Sequence, residues 1–285
     1  TYNSVADFER DMASMYEYNY TDPEVAGTTT WGPRFRAAEM NFYAQDNWDF
    51  GRGLSLTVGL RATLPLIFNS PTPNTAFNNS EIANRYGVRI GDVPRAQLLI
   101  SPRVGLSWRK RLENGTLKVE GGAGVFTGRV PFVWVVNNYS NTGVEQKGVK
   151  LLGKVDNGQV VESAAPFMPT PSPTTLSNTS FMLNAMDKNF RFPQNLKVSL
   201  VGEFLSDNGW SLRADALYTK VLNGVSFSNL AVESTGSKIY AAPSGVGGSS
   251  AGGYPLFERS TNDYSAIYYM KNTSRGYSYS LAASF

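Results

Sequence analysis

The sequence predicts an all-β chain folded as part of an antiparallel transmembrane β-barrel. Three observations predict it. Apolar and polar residues alternate with period two over stretches of about ten to fourteen residues. Short glycine-bearing turns alternate strictly with long polar connections. Aromatic residues (Trp48, Phe50, Trp108, Phe126, Phe204, Trp210, Tyr218) gather near the ends of the alternating stretches, as in interfacial girdles.

The strands follow in chain order. Segment 35–50 sets Ala38, Met40, Phe42 and Ala44 against Glu39, Asn41, Tyr43 and Gln45. In 54–67, Leu54, Leu56, Val58, Leu60, Ala62 and Leu64 share one face, and Ser55, Thr57, Gly59, Arg61 and Thr63 the other. In 98–110, Leu98, Ile100, Pro102, Val104, Leu106 and Trp108 oppose Ser101, Arg103, Gly105, Ser107 and Arg109. In 116–127, Leu117, Val119, Gly121, Ala123 and Val125 oppose Lys118, Glu120, Gly122 and Gly124. In 193–206, Leu196, Val198, Leu200 and Phe204 oppose Lys197, Ser199 and Glu203; in 210–222, Leu212, Ala214, Ala216 and Tyr218 oppose Ser211, Arg213, Asp215 and Thr219. Segment 276–285 alternates Tyr277, Tyr279, Leu281, Ala283 and Phe285 with Gly276, Ser278, Ser280 and Ser284. The stretch 8–20, with Tyr16, Tyr18 and Tyr20, reads as an outward strand ahead of all these, which makes seven or eight spans in total. Soluble strands average about five or six residues, whereas a tilted membrane strand needs about nine to eleven. A soluble β-sandwich or propeller is the alternative on pattern alone.

The connections argue for the barrel independently. The short ones are Gly51-Arg52-Gly53, Arg111-Leu112-Glu113-Asn114-Gly115 and Asp207-Asn208-Gly209, and glycine and Asn-Gly supply the positive φ that tight hairpins require. The long ones cover about 68–97, 128–192 and 223–275, rich in Pro, Ser, Thr, Asn and Gly. Short periplasmic turns and long extracellular loops are the asymmetry of an outer-membrane barrel. The long loops are expected to hold hairpins of their own, such as 225–231 with 265–271.

Composition removes several function classes. The chain has 285 residues, no cysteine and no histidine. Disulfides, thiolate metal sites, Cys nucleophiles and His-dependent triads are therefore excluded. A net charge of +3 is too small and dispersed for a nucleic-acid binder. The longest apolar run, Phe132-Val133-Trp134-Val135-Val136, is far short of a helical span, and no leader pattern is visible at Thr1. At roughly 150 residues per domain the length suggests about two domains, but the strand pattern replaces that with part of one barrel, 1–285.

Specific strings then resemble a known family. Asn41-Phe42-Tyr43-Ala44-Gln45-Asp46-Asn47-Trp48, a short turn, and Leu56-Thr57-Val58-Gly59-Leu60-Arg61 resemble a "YAQDxW…LTLGLR" hairpin of TonB-dependent outer-membrane transporters. Ser101-Pro102-Arg103-Val104-Gly105-Leu106-Ser107-Trp108 resembles the "SPRxGF" strand that follows it. Gly121-Gly122-Ala123-Gly124-Val125-Phe126-Thr127-Gly128-Arg129-Val130-Pro131-Phe132 resembles the continuation, and Phe192-Pro193-Gln194-Asn195-Leu196-Lys197 the next inward strand. The likeness is greatest to the Oar-like subgroup common in Bacteroidetes and covers roughly 35–225. It implies a 22-stranded barrel in the bacterial outer membrane, filled by a plug and energised through a TonB-type protein, for uptake of a peptide, glycan or metal chelate. Neither plug nor energy-coupling box is visible in the sequence. The partners implied are outer-membrane lipid, the remaining barrel and plug, the energy-coupling protein and a surface lipoprotein. The aromatic alternation ending at Phe285 looks like a terminal insertion signal, but the resemblance places more barrel after this strand, so truncation is favoured.

The site residues fall in two groups. Arg61, Arg103, Arg109, Lys118, Glu120, Lys197, Glu203, Arg213 and Asp215 share the inward face. They are read first as solvation and cross-strand pairing of the lumen wall, and alternatively as a substrate path or plug contact favouring anions. Arg129, Trp134, Asn137, Asn138 and Tyr139, with Phe132 and Asn141, suit stacking on sugars or gripping peptide backbone, against the alternative of a packed external loop. Tyr240, Tyr254 and Phe257 form a weaker ligand-closing candidate. Glu203 and Asp215 lie on adjacent strands and one face, yet charge lining outweighs glycoside hydrolysis. Gly121-Gly122-Ala123-Gly124 lacks the Lys-Ser/Thr of a phosphate loop. No enzyme activity, cofactor or metal is expected. A passive porin, or a structural outer-membrane protein serving a secretion complex, stands beside active transport, and a soluble β-rich binding or adhesion protein is the third reading.

Overall fold

The structure is a computed structural model that describes residues 1–164, 181–239, 254–261 and 263–285. Its elements are, in order, α1 (Val5–Glu9), β1 (Met15–Thr21), α2 (Pro23–Ala26), β2 (Ala37–Asp49), β3 (Leu54–Ile67), α3 (Thr75–Asn78), α4 (Glu81–Tyr86), β4 (Leu99–Leu112), β5 (Gly115–Thr127), α5 (Phe132–Ser140), β6 (Gln146–Leu152), β7 (Lys154–Asp156), β8 (Gln159–Glu162), β9 (Phe181–Met186), β10 (Gln194–Ser206), β11 (Ser211–Asn229), β12 (Val232–Ile239), β13 (Tyr254–Arg259), β14 (Tyr264–Thr273) and β15 (Tyr277–Ser284). Among the described residues no helix is long and apolar enough to cross a membrane, which leaves crossing by strands open.

Seven long strands form one antiparallel meander in the order β2-β3-β4-β5-β10-β11-β15. Their bounds fall within a residue or two of the alternating segments, except that β11 runs on to Asn229. Its extension pairs with β14 from Gly224↔Thr273 to Asn229↔Tyr268, the internal hairpin expected of the third long loop. The register keeps one face continuous across the sheet. Reading from β3, Leu60 pairs with Ala44 and Pro102, and Leu56 with Trp48 and Leu106. Further along, Ala123 pairs with Val104 and Val198, Val198 with Tyr218, and Tyr218 with Tyr279. This apolar face is open: Leu60, Leu106, Leu200 and Leu212 are exposed, and Leu281 is 77% exposed. Large apolar groups presented outward in ordered rows suit hydrocarbon as the solvent. The sheet does not close on itself: β2 and β15 each have one unpaired edge among the described residues.

Two turns show why glycine is fixed there. Gly53 has φ +76°, and a Cβ on it would lie 2.1 Å from the Arg109 carbonyl oxygen, which belongs to the neighbouring strand. Gly115 opens β5 so close to β10 that a Cβ would meet the Leu205 carbonyl oxygen at 2.4 Å. The second turn is tighter than its five-residue reading, because Leu112 pairs with Gly115 and only Glu113 and Asn114 lie between.

The stretch 8–20 is not a span. Only its first two residues, Phe8 and Glu9, lie in α1, and β1 pairs with β6 from Met15↔Leu152 to Thr21↔Gln146 inside the long-loop layer. Three tyrosines with period two made it look like a barrel strand, but seven residues are too few to cross. The same layer holds the hairpins β7–β8 and β12–β13 and one parallel pair, β14 with β9.

The compact hydrophobic core also lies in this layer. One cluster joins Phe77, Ala83, Val88 and Ile90 of the first long loop to Leu183, Ala185, Leu230 and Ile267. A second joins Leu99 at the long-loop end of β4 to Val130, Val135, Tyr139, Met186, Phe190, Phe192 and Met270. The long loops are therefore a folded cap over one end of the sheet.

Candidate functional site

The face opposite the apolar one carries the charges. The same register places Arg61, Arg103, Arg109, Lys118, Glu120, Lys197, Glu203, Arg213 and Asp215 all on it, because each lies at an odd step from the apolar rows. Near the short turns they settle into pairs. Lys118 Nζ lies 2.9 Å from Glu120, and Arg213 Nη2 lies 2.8 Å from Asp215. Both pairs are two residues apart on one strand, the spacing at which side chains share a face. Ser107 Oγ donates to Glu120 at 3.3 Å, and Glu203 sits directly opposite both Lys118 and Arg213. Higher on the wall, Arg103 and Lys197 flank Gly124 in register. Their cationic groups lie 4.6 Å and 5.7 Å from the centroid of the Phe126 ring, and no carboxylate among the described residues lies within 4.0 Å of either. The negative face of the ring stands in for a counter-ion.

At the long-loop end, Arg61 donates to Asn41 Oδ1 at 2.7 Å and lies 3.9 Å from Glu39. Arg129 crosses from beyond β5 to grip the same Glu39 at 3.0 and 3.2 Å. This fork anchors the start of the second long loop to the polar wall.

The remaining loop candidates form no open ligand strip. Residues 132–140 coil into α5, a helix that period-two reading of a loop does not reveal. Trp134 packs edge-on against Phe227 with ring centroids 5.4 Å apart, and Asn137 is half-buried. Asn138 is 3% exposed, its amide donating back to the Trp134 carbonyl at 2.8 Å while its Oδ1 has no partner. Tyr139 is 4% exposed, stacks on Phe35 at 5.5 Å and donates to the Asn69 carbonyl. Burial pushes its phenol up to about 12, so it stays a donor at any physiological pH. Of the weaker candidate, Tyr240 lies outside the described residues, and Phe257 stands exposed on β13.

One cavity in the cap joins Tyr139 to residues that the sequence reading passed over. It measures about 540 Å³ and is lined by Thr28, Thr30, Trp31, Gly32, Arg34, Ser70, Pro71, Thr72, Tyr139 and Glu145. Glu145 is only 7% exposed. Its carboxylate accepts from the Thr72 hydroxyl and, at 2.7 Å, from the Thr142 hydroxyl. Its backbone carbonyl accepts from Asp22 N, whose side chain in turn takes the Lys147 ammonium. Lys147 holds the Asp22 carboxyl below the usual carboxylate range, chiefly through that hydrogen bond. Four separate stretches of chain build the cavity, so no local motif marks it. The one visible signal was Trp31, isolated among Thr and Gly where no strand alternates.

The family model of the outer membrane beta barrel domain matches residues 1–278. The chain belongs to the outer membrane beta barrel domain family. This outer-membrane β-barrel chain accordingly resides in the bacterial outer membrane, and its exposed apolar face meets lipid. No match is found among the curated proteins or among the solved structures. Among the described residues no group of three or more acidic side chains gathers where it could hold a metal ion.

Proposed function

We propose that this outer-membrane β-barrel chain is wall and external cap of a TonB-dependent transporter of the Oar-like kind, a non-enzymatic protein that takes up a nutrient. The observation that carries the reading is positional. The strings that resemble that family fall on consecutive neighbours of one meander: Asn41–Trp48 on β2, Leu56–Arg61 on β3, Ser101–Trp108 on β4, Gly121–Thr127 on β5 and Gln194–Lys197 on β10. Their order along the meander supports the reading. The open edges of β2 and β15 support a larger ring, because unpaired backbone groups in hydrocarbon cost several kcal/mol each and a spanning sheet must close. In the proposed protein further strands complete a 22-stranded barrel, a plug meets the polar wall, and a TonB-type protein supplies energy.

The test is uptake by cells that make the full-length protein, with and without the proton gradient. Accumulation that collapses when the gradient is dissipated supports active transport. Uptake indifferent to the gradient would favour a passive pore instead. Replacing Arg61 or Arg103 by Ala is expected to change uptake while leaving barrel assembly intact; loss of assembly would make these residues structural.

A further inference from the structure

The Glu145 cavity poses an electrostatic problem that the wall and girdle do not. A carboxylate taken out of water is costly unless a cation or a full set of donors replaces the lost hydration. Glu145 is 93% buried, and two threonine hydroxyls are its side-chain partners. Lys147, two residues on, is committed to Asp22, and among the described residues no Lys or Arg nitrogen lies within 4.0 Å of the Glu145 carboxylate. Arg34 lines the same cavity and has no carboxylate within 4.0 Å among the described residues. The cavity thus holds one acid and one base that form no ion pair with each other or with any other described residue. Trp31 adds apolar ring surface to the cavity. Its volume, about 540 Å³, lies within the range of small-ligand sites.

We infer that this cavity binds a zwitterionic ligand, a free amino acid or short peptide, with its ammonium on Glu145, its carboxylate on Arg34 and its apolar part against Trp31. A neutral sugar stacked on Trp31 would bring hydroxyls but no counter-charge to either group, and a simple anion would leave Glu145 worse off. The site deepens the transport proposal by naming its cargo class, and rests on that reading only in taking the cap as the face that meets cargo.

The experiment is titration calorimetry on the full-length protein in detergent with alanyl-alanine, its N-acetylated form, its C-terminal amide, and maltose. The free dipeptide should bind, each blocked form at least tenfold more weakly, and maltose not measurably. Glu145→Gln keeps the side-chain shape, with one threonine hydroxyl still donating to the amide oxygen and the other turned to accept from the amide NH2, and should abolish the preference for the free over the acetylated amine. Arg34→Gln, at an exposed position, should abolish the preference for the carboxylate over the amide. Absence of dipeptide binding, indifference to blocking, or variants that keep both preferences would overturn the site. Uptake assays separate the two readings. Dipeptide that binds as expected but is never accumulated overturns transport and leaves the site standing. Gradient-driven uptake of another cargo, with no dipeptide binding, overturns the site alone.

Discussion

Tyr139 is where two readings of the cap diverge most sharply, and its removal can be worked out from the structure. As a ligand contact it would stand in solvent and cost nothing to truncate. In the structure its ring lies in the second core cluster, stacked on Phe35, and its hydroxyl ties α5 to the Asn69 carbonyl just beyond β3. Truncating a buried aromatic to alanine costs about 3–5 kcal/mol, because lost transfer energy adds to the cavity left behind. Tyr139→Phe removes only the hydrogen bond, and Asn69 is partly open to water, so the cost is about 0.5–1.5 kcal/mol. The assay is amide exchange over 132–140 in the folded barrel. At a tenfold rate change per 1.4 kcal/mol, Tyr139→Ala should speed exchange by roughly two to three and a half orders of magnitude, and Tyr139→Phe by roughly two- to tenfold. Gel mobility of the unheated protein checks that the barrel still forms. If Tyr139→Ala leaves α5 as protected as before, Tyr139 is not a core residue and the folded-cap argument fails.

Three further perturbations probe other levels. Gly53→Ala combines a positive φ with a 2.1 Å approach to the Arg109 carbonyl, whereas Gly51, at φ +70°, has nothing within 4 Å of its would-be Cβ. Urea unfolding in detergent should show Gly51→Ala losing about 1–2 kcal/mol and Gly53→Ala clearly more, and equal losses would refute the close approach. Leu106→Lys places a charge on the apolar face and should cost about 2–4 kcal/mol in a bilayer, while Ser199→Lys on the polar face should cost little; comparable losses would mean the faces are misassigned. The Asp22 carboxyl is held below its ordinary value of 3.8 by Lys147, so the pair stabilises the β1–β6 sheet fully above that pH. The contribution is lost as pH falls through the lower folded value. Protease protection of 15–21 should therefore drop below about pH 4 in the wild type, and Lys147→Met should show the weaker protection already at neutral pH.

The spanning strands were legible because their physics is local. A lipid face imposes period two on each strand independently, and the register of the meander follows from keeping one face apolar. Seven segments therefore emerged close to their observed bounds. The cap was not legible for the opposite reason. Its core joins Phe77 to Ile267 and Leu99 to Met270, pairs far apart in sequence and drawn from three loops. Short helices such as α4, capped by Ser80 and ended by Gly87 at φ +63°, are too brief to show a 3.6-residue period. The 8–20 segment misled because stacked tyrosines alternate as well in a small external sheet as in a barrel. On the wall, the charged candidates that alternate in the sequence share one face of the sheet, but their spacing did not tell which were paired.

That pairing divides the polar wall by height. Near the short turns, acids and bases alternate two residues apart, so Lys118–Glu120 and Arg213–Asp215 neutralise one another within a strand. Exposed pairs of this kind add little to stability, but they leave the lower wall with almost no net field. Toward the cap, Arg103 and Lys197 lie over an aromatic ring with no carboxylate within 4.0 Å among the described residues, and Arg129 with Arg61 outnumber the one Glu39 they share. The wall is therefore positive beneath the cap and neutral below it. Such a wall attracts anions most strongly next to the cap and least near the short turns, because the excess of cations lies at the cap end.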